Sequence, residues 1–310
     1  MKPIIEVSQL CKNFKHFTAV NNLNFTVYKG DVFGFLGENG AGKSTTIRML
    51  LTLIEPTSGN INLFGENLQK NRKEILNKVG AVIEKPDLYK YLSAFDNLNL
   101  FAKMSRLKLS KNVLLEQLDL VGLADRWDSK VKTFSQGMKQ RLGIAVALVH
   151  NPELIVLDEP TNGLDPQGIA DIRNLILKLS HERGKTILVS SHLLSEIEII
   201  ANRMLIMHKG KKIVEGDVNS LLDPSKTIVK IETANNQNAF ELLSNSIWSE
   251  DLKIIDEQIL LKIAKKDVPN LNKFLIQHSV DVYLIQPLHS LENYFLNLTK
   301  STAHVESFTN

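Results

Sequence analysis

Hydrophobic and polar positions alternate over residues 4–10 and 23–28, the period-two pattern of half-buried strands, with Lys29-Gly30-Asp31 as a turn. The stretches 31–36, 79–83, 154–157 and 185–189 are instead short, almost continuous apolar runs, which predict strands buried on both faces. Helical spacing follows the first of these at Ile47, Leu50, Leu51 and Ile54, giving a helix over 45–54. A turn-rich segment, 55–59, then leads to a strand over 60–64. Residues 93–121 read as helical, with Leu98, Phe101, Ala102, Val113, Leu114, Leu118 and Val121 facing inward. A further helix after Ser135 carries Met138, Leu142, Ala145 and Val149 on its apolar face, and another spans 169–179. Residues 203–208 and 211–215 form a hairpin around Lys209-Gly210. Beyond about 217 the pattern becomes strand 227–232, helix 238–245, strands 252–255 and 258–263, helix 268–277 and strand 280–285, the β-α-β-β-α-β order of a ferredoxin-like unit. A last helix is expected over 290–298, with Leu291, Phe295 and Leu298 on one stripe.

This alternation of buried strands and helices predicts an α/β fold, with residues 1–220 as one domain, an all-helical segment at about 86–150 inside it, and 221–310 as a small α+β accessory domain. A chain of 310 residues with 43% hydrophobic composition is large enough for two packed cores. Its net charge of +3 is spread along the sequence, so no nucleic-acid partner is expected. No apolar run reaches the length of a membrane span, and the amino-terminal residues lack a signal core, which points to the cytosol. Cys11 is the single cysteine, leaving no internal disulfide, and the histidines are not paired at metal-ligand spacing.

The chemistry centres on Gly37-Glu-Asn-Gly-Ala-Gly-Lys-Ser-Thr45, a Gly-x-x-x-x-Gly-Lys-Ser/Thr pattern placed between a buried strand and a helix. Glycines at 37, 40 and 42 let the backbone curl so that Asn39, Gly40 and the following N–H groups surround a phosphate. Lys43 would neutralise the β- and γ-phosphates, Ser44 would offer its hydroxyl to Mg²⁺, and Thr45 continues the cradle into the helix N-terminus. Ligands of open α/β sheets gather at the carboxyl ends of strands, where Asp158, Glu159 and His192 fall. Asp158 suits Mg²⁺ held through water, and Glu159 suits orienting or deprotonating the attacking water. Taken singly, each has a plainer reading: the acids as a helix cap, His192 as a satisfied core histidine, Ser135 as an ordinary N-cap and Phe14 as core filler.

Together these motifs resemble the nucleotide-binding subunit of ATP-binding-cassette (ABC) transporters over residues 1 to about 220. The resemblance implies a P-loop NTPase cassette: a RecA-like core, an antiparallel β subdomain and an α-helical subdomain. It implies ATP and Mg²⁺ as ligands and makes the chain an ATPase. Phe14 is then the aromatic that stacks on adenine, with Val20 near the base. Residues 37–45 are the Walker A loop, Asp158 closes Walker B, Glu159 is the catalytic glutamate, Asp165 lies in the D-loop and His192 is the switch histidine. In this family two cassettes close head to tail, so Ser135 and Gly137 would cap the ATP held by a second copy. Here the usual Leu-Ser-Gly-Gly-Gln is Phe-Ser-Gln-Gly-Met, with Gln136 replacing a glycine.

A second departure is Glu84, where the family normally has glutamine; its carboxylate still offers an oxygen to Mg²⁺. That glutamate, the Phe-Ser-Gln-Gly-Met wording and the C-terminal extension resemble the ATPase subunits of bacterial bacitracin-resistance and lantibiotic-immunity exporters. The expectation is a peripheral protein on the cytoplasmic face of the membrane that drives a separate permease, with 87–98 lining the docking groove. Two other readings share the site chemistry: a cassette coupled to a membrane signalling or cell-wall-regulating partner, and a soluble cassette acting on ribosomes or DNA. The second usually carries two cassettes in one chain, a coiled-coil insertion or zinc-binding cysteines, and none is found here.

Overall fold

The computed structural model describes residues 2–221, 227–255 and 258–288, which fall into two compact units, Met1–Val218 and Asn219–Asn310. The predicted helix over 290–298 lies outside the described residues.

The first unit opens with strands β1 (Pro3–Phe14), β2 (Phe17–Tyr28) and β3 (Val32–Gly37), then helix α1 (Lys43–Leu50). Strands β4 (Ser58–Leu63) and β5 (Glu66–Asn67), helix α2 (Arg72–Leu76) and strand β6 (Val79–Ile83) follow. Three helices come next: α3 (Ala94–Met104), α4 (Lys111–Leu120) and α5 (Gln136–Leu148). The remainder is β7 (Leu154–Asp158), α6 (Pro166–His181), β8 (Thr186–Ser191), α7 (Leu194–Ile200), β9 (Arg203–His208) and β10 (Lys211–Asp217), and the short helix α8 (Val218–Leu221) begins at the boundary residue Val218.

These strands make two sheets. One is antiparallel, in the order β2-β1-β4-β5; the other runs β10-β9-β3-β8-β7-β6, parallel except for the β9–β10 hairpin. The apolar alternation of β1 and β2 puts Val7, Leu10, Leu23 and Phe25 into one core with Phe33 and Phe35 of β3 and with Ile47 and Leu50 of α1. The Phe25 ring lies 5.9 Å from that of Phe33 and 5.4 Å from that of Phe35, so aromatic packing joins the two sheets. At the edge of this core Arg203 donates to Asp31 Oδ2 at 3.1 Å, to Glu215 Oε1 at 3.2 Å and to the Thr26 carbonyl at 2.9 Å, tying β2, β3, β9 and β10. A Cβ on Gly80 would lie 2.2 Å from the Ala147 carbonyl oxygen, so glycine in β6 allows α5 to press directly on the sheet.

The second unit consists of β11 (Thr227–Thr233), α9 (Asn236–Ser244), β12 (Leu252–Ile255), β13 (Gln258–Ile263), α10 (Val268–Gln277) and β14 (Val282–Leu288). Its sheet is antiparallel in the order β12-β13-β11-β14, the split β-α-β-β-α-β arrangement. Leu243 and Ala239 of α9, Leu271 and Leu275 of α10, and Val229, Ile231, Ile259 and Leu261 form its core.

Several expectations are corrected. The β1–β2 hairpin is longer than its alternation showed, because register shifts between Val7 and Lys12 break the period, and Phe14 ends β1 instead of lying on a connection. Helix α1 stops before Ile54, since Thr52 takes a left-handed φ of 56°. The segment 93–121 is two helices, separated where Arg106 has a φ of 61°. Val113 is exposed, not inward: it sits in the first turn of α4, where its amide is capped by Ser110 and the buried stripe is Leu114 and Leu118.

Candidate functional site

The loop between β3 and α1 is shaped by two glycines with positive φ, 82° at Gly40 and 105° at Gly42. A Cβ on Gly42 would lie 2.5 Å from the Ala19 carbonyl oxygen, so only glycine lets the loop close against β2. Gly42 is also the N-cap of α1 and offers no side-chain cap, which leaves the first-turn N–H groups for another acceptor. Glu38, Asn39 and Gly40 are exposed on the loop, and Ser44 and Thr45 are half-buried at the start of the helix. Lys43 is 5% exposed; its ammonium donates to the carbonyls of Gly37 at 2.5 Å and Glu38 at 3.2 Å and pairs with Glu159 Oε1 at 3.1 Å.

Asp158 and Glu159 stand at the carboxyl end of β7, beside β8 on one side and β6 on the other. The parallel register sets Asp158 opposite Ser190, whose hydroxyl donates to Asp158 Oδ1 at 2.6 Å and accepts from the Glu159 amide at 2.9 Å. The other oxygen, Asp158 Oδ2, is buried without a hydrogen-bond partner. A buried carboxylate oxygen in that position calls for a cation or water, and it is a hard oxygen donor of the kind that suits Mg²⁺, as is the Ser44 hydroxyl at the start of α1. Glu159 has a left-handed φ of 49° and spans two partners: Oε1 faces Lys43, and Oε2 lies 2.7 Å from His192 Nδ1. Glu196, on α7, is buried and accepts from Thr161 and Ser191 at 2.8 Å each, fixing the two loops that leave β7 and β8.

The fold thus brings Lys43, Asp158, Glu159 and His192 to one sheet edge, with Ser190 as a member that the sequence reading left without a role. The signal for Ser190 was its place one strand over from Asp158 at the same carboxyl edge. Glu84 follows Ile83, the residue in register with Asp158, and its carboxylate is paired with Arg48 of α1 at 2.5 Å. Phe14 is half-exposed at the tip of the β1–β2 hairpin, its ring stacked on Phe17 at 5.3 Å with the Lys12 ammonium 5.2 Å from its centroid. Val20, expected near the base, has its side chain fully buried in the core formed with β3 and α1. Ser135 and Asp165 each cap a helix, Ser135 accepting from the Met138 amide at 3.2 Å and Asp165 from the Gly168 amide at 2.9 Å. Gly137 lies against Gly168, where an added Cβ would meet its Cα at 3.8 Å.

At the opposite edge of the sheet, His150 Nε2 lies 3.1 Å from the Val79 carbonyl oxygen, and Lys185 donates at 2.7 Å to both Asn151 Oδ1 and the Pro152 carbonyl. Burial holds the pKa of each below its ordinary value.

Residues 20–162 match the family model described as ABC transporter, and residues 130–198 also match one described as AAA domain, putative AbiEii toxin, Type IV TA system. The bacitracin transport ATP-binding protein BcrA of Bacillus licheniformis is 43% identical, over 96% of this chain and 98% of its own length. The lantibiotic transport ATP-binding protein SrtF of Streptococcus pyogenes is 42% identical over 238 residues, 77% of this chain and 99% of SrtF. A solved ATP-binding cassette, a dimer in a post-hydrolysis state bound to ADP and Pi, aligns with a TM-score of 0.63 and 26% identity, covering 69% of this chain and 99% of that one. The glycine loop, the paired acids at the strand ends and these alignments agree: the chain belongs to the ATP-binding proteins of ABC transporters.

Proposed function

We propose that this chain is the ATP-hydrolysing subunit of a bacterial exporter of peptide antibiotics, seated on the cytoplasmic face of the membrane against a separate permease. The observation that carries the cargo class is the 43% identity to BcrA along 96% of the chain, because that match extends through the C-terminal unit. SrtF, by contrast, is accounted for almost entirely by its 238 aligned residues, which favours bacitracin-type over lantibiotic cargo.

In the proposed reaction water attacks the γ-phosphate in line. Glu159, held between Lys43 and His192, orients that water and accepts its proton. Lys43 turns from Glu159 to the β- and γ-phosphate oxygens, and the open amides of the first turn of α1 receive the remaining charge. His192 contacts the γ-phosphate edge, and Phe14 stacks on the adenine. Mg²⁺, when bound, neutralises phosphate charge; Ser44, Asp158 through water, and Glu84 would hold it. Ser190 keeps Asp158 oriented for that task. Ser135 and Gly137 would face the ATP of a second copy, and Asp165 would line the same interface. Tyr89 and Tyr91, exposed in the segment 87–98, suit contact with the permease.

The test is to tag the chain in its native cell, solubilise the membranes gently and identify what co-purifies. A stoichiometric polypeptide with several apolar spans supports the proposal. Recovery only with ribosomes or nucleic acid contradicts it.

A further inference from the structure

The Glu84 carboxylate is engaged, and its partner lies on the helix that follows the phosphate loop. Arg48 Nη2 donates to Glu84 Oε1, with the two side chains 43% and 64% exposed. Arg48 is four residues after Ser44 in α1, so the two share the half-buried stripe of that helix, about 6 Å apart along its axis. Glu84 itself sits directly after Ile83, whose register partner is Asp158, and its left-handed φ of 56° matches that of Glu159 on the adjacent strand. The backbone of Glu84 is therefore level with the acids at the carboxyl edge, while its carboxylate is drawn to α1 at a point one helical turn past the Ser44 hydroxyl. A neutral amide at position 84 would have no charge with which to hold Arg48. The carboxylate has one, and so has two competing positions.

We propose that Arg48 is a positioning residue that holds the Glu84 carboxylate one turn away from Ser44, and thereby sets the concentration of divalent cation at which nucleotide is bound. The inference rests on the reading above that Glu84 serves the Mg²⁺ of the nucleotide. The pair is exposed and so weak enough to exchange: ion pairs of this kind shift an equilibrium by up to about five-fold. Arg48 also stands in the last turn of α1, where a cation complements the helix dipole, and that purely structural role makes a different prediction.

The experiment is a Mg²⁺ titration of the binding of a fluorescent, non-hydrolysable ATP analogue to the full chain. It compares the wild type with Arg48→Ala, Arg48→Lys, Glu84→Gln and the Arg48→Ala/Glu84→Gln double variant. Arg48→Ala is expected to lower the Mg²⁺ midpoint by about two- to five-fold, Arg48→Lys to stay near the wild type, and Arg48→Ala to add nothing once Glu84 is glutamine. An unchanged midpoint in Arg48→Ala, or the same shift in the Glu84→Gln background, overturns the positioning role. A wild-type midpoint in Glu84→Gln overturns the prior reading of Glu84 as a cation-site residue, and the inference with it.

Discussion

Lys43 Nζ lies 3.1 Å from Glu159 Oε1, and Glu159 Oε2 lies 2.7 Å from His192 Nδ1, so one carboxylate joins the phosphate loop to the ends of β7 and β8. The lysine is buried, and its three contacts are Glu159 and the two carbonyls of Gly37 and Glu38. In the proposed reaction nucleotide phosphate and Glu159 are rivals for the same ammonium, and Glu159→Gln would remove both the proposed base and much of the rivalry. Hydrolysis should fall by roughly 10²-fold or more while nucleotide affinity stays the same or rises. Parallel phosphate-release and nucleotide-titration measurements check both halves; a loss of affinity would assign Glu159 to binding instead.

Lys43→Ala should cost on the order of 3 kcal/mol of phosphate stabilisation. It also leaves the half-buried Glu159 beside His192 without its cation. Calorimetric titration with ATP should therefore show affinity reduced by about two orders of magnitude, and unchanged affinity would contradict the role of Lys43.

Ser190→Ala takes the hydroxyl from between Asp158 Oδ1 and the Glu159 amide, leaving an orphaned acceptor and an orphaned donor in a buried place. A stability loss of about 1–3 kcal/mol is expected in denaturant unfolding. Because Asp158 then loses its orientation, the Mg²⁺ requirement should rise as well. A variant with wild-type stability and Mg²⁺ dependence would show the hydroxyl to be dispensable.

Gly42→Ala places a methyl 2.5 Å from the Ala19 carbonyl at a φ of 105°. The left-handed backbone alone costs about 1–2 kcal/mol. The loop has to open, so nucleotide binding should be lost more completely than stability. A thermal melt with and without ATP separates the two, and retention of the ATP-induced rise in Tm would argue against the loop geometry.

His150 gives a pH prediction. Burial lowers its pKa; the Val79 carbonyl bond partly opposes this, and the nearby Lys185 charge adds to it. The unfolded chain therefore binds more protons than the fold in the window just below the ordinary pKa of about 6.5. Stability is retained above that pH and falls as the pH is lowered through the window toward the depressed value. Urea unfolding from pH 7.5 to pH 5 should show a shallower decline in His150→Gln than in the wild type; equal slopes would remove His150 as the cause.

The short apolar runs were legible as buried strands because β3, β7 and β8 are buried at every position, so their length and composition carry the signal. In the second unit, β12, β13 and α10 have the bounds that alternation and helical spacing predicted, because each is short and regular in its pattern. The loop residues Gly40, Gly42 and Lys43 were legible because the pattern is itself a statement about backbone geometry. Ser190 and Arg48 were not assigned roles, for they depend on register between β7 and β8 and on α1 packing beside the exit of β6, neither of which is local in sequence. Val20 was placed near the base only by the family resemblance; the burial of its side chain depends on β2 packing against Phe33 and Phe35 of β3, which is not local in sequence.

The most direct test of the account is antibiotic resistance in the native cell lacking this chain and complemented either with the wild type or with Glu159→Gln. The account predicts that the wild type restores resistance to bacitracin-type peptides, whereas Glu159→Gln, present at the same level and bound to the same membrane partner, does not. Equal resistance with both would contradict the claim that ATP hydrolysis at the Lys43–Glu159–His192 site powers export.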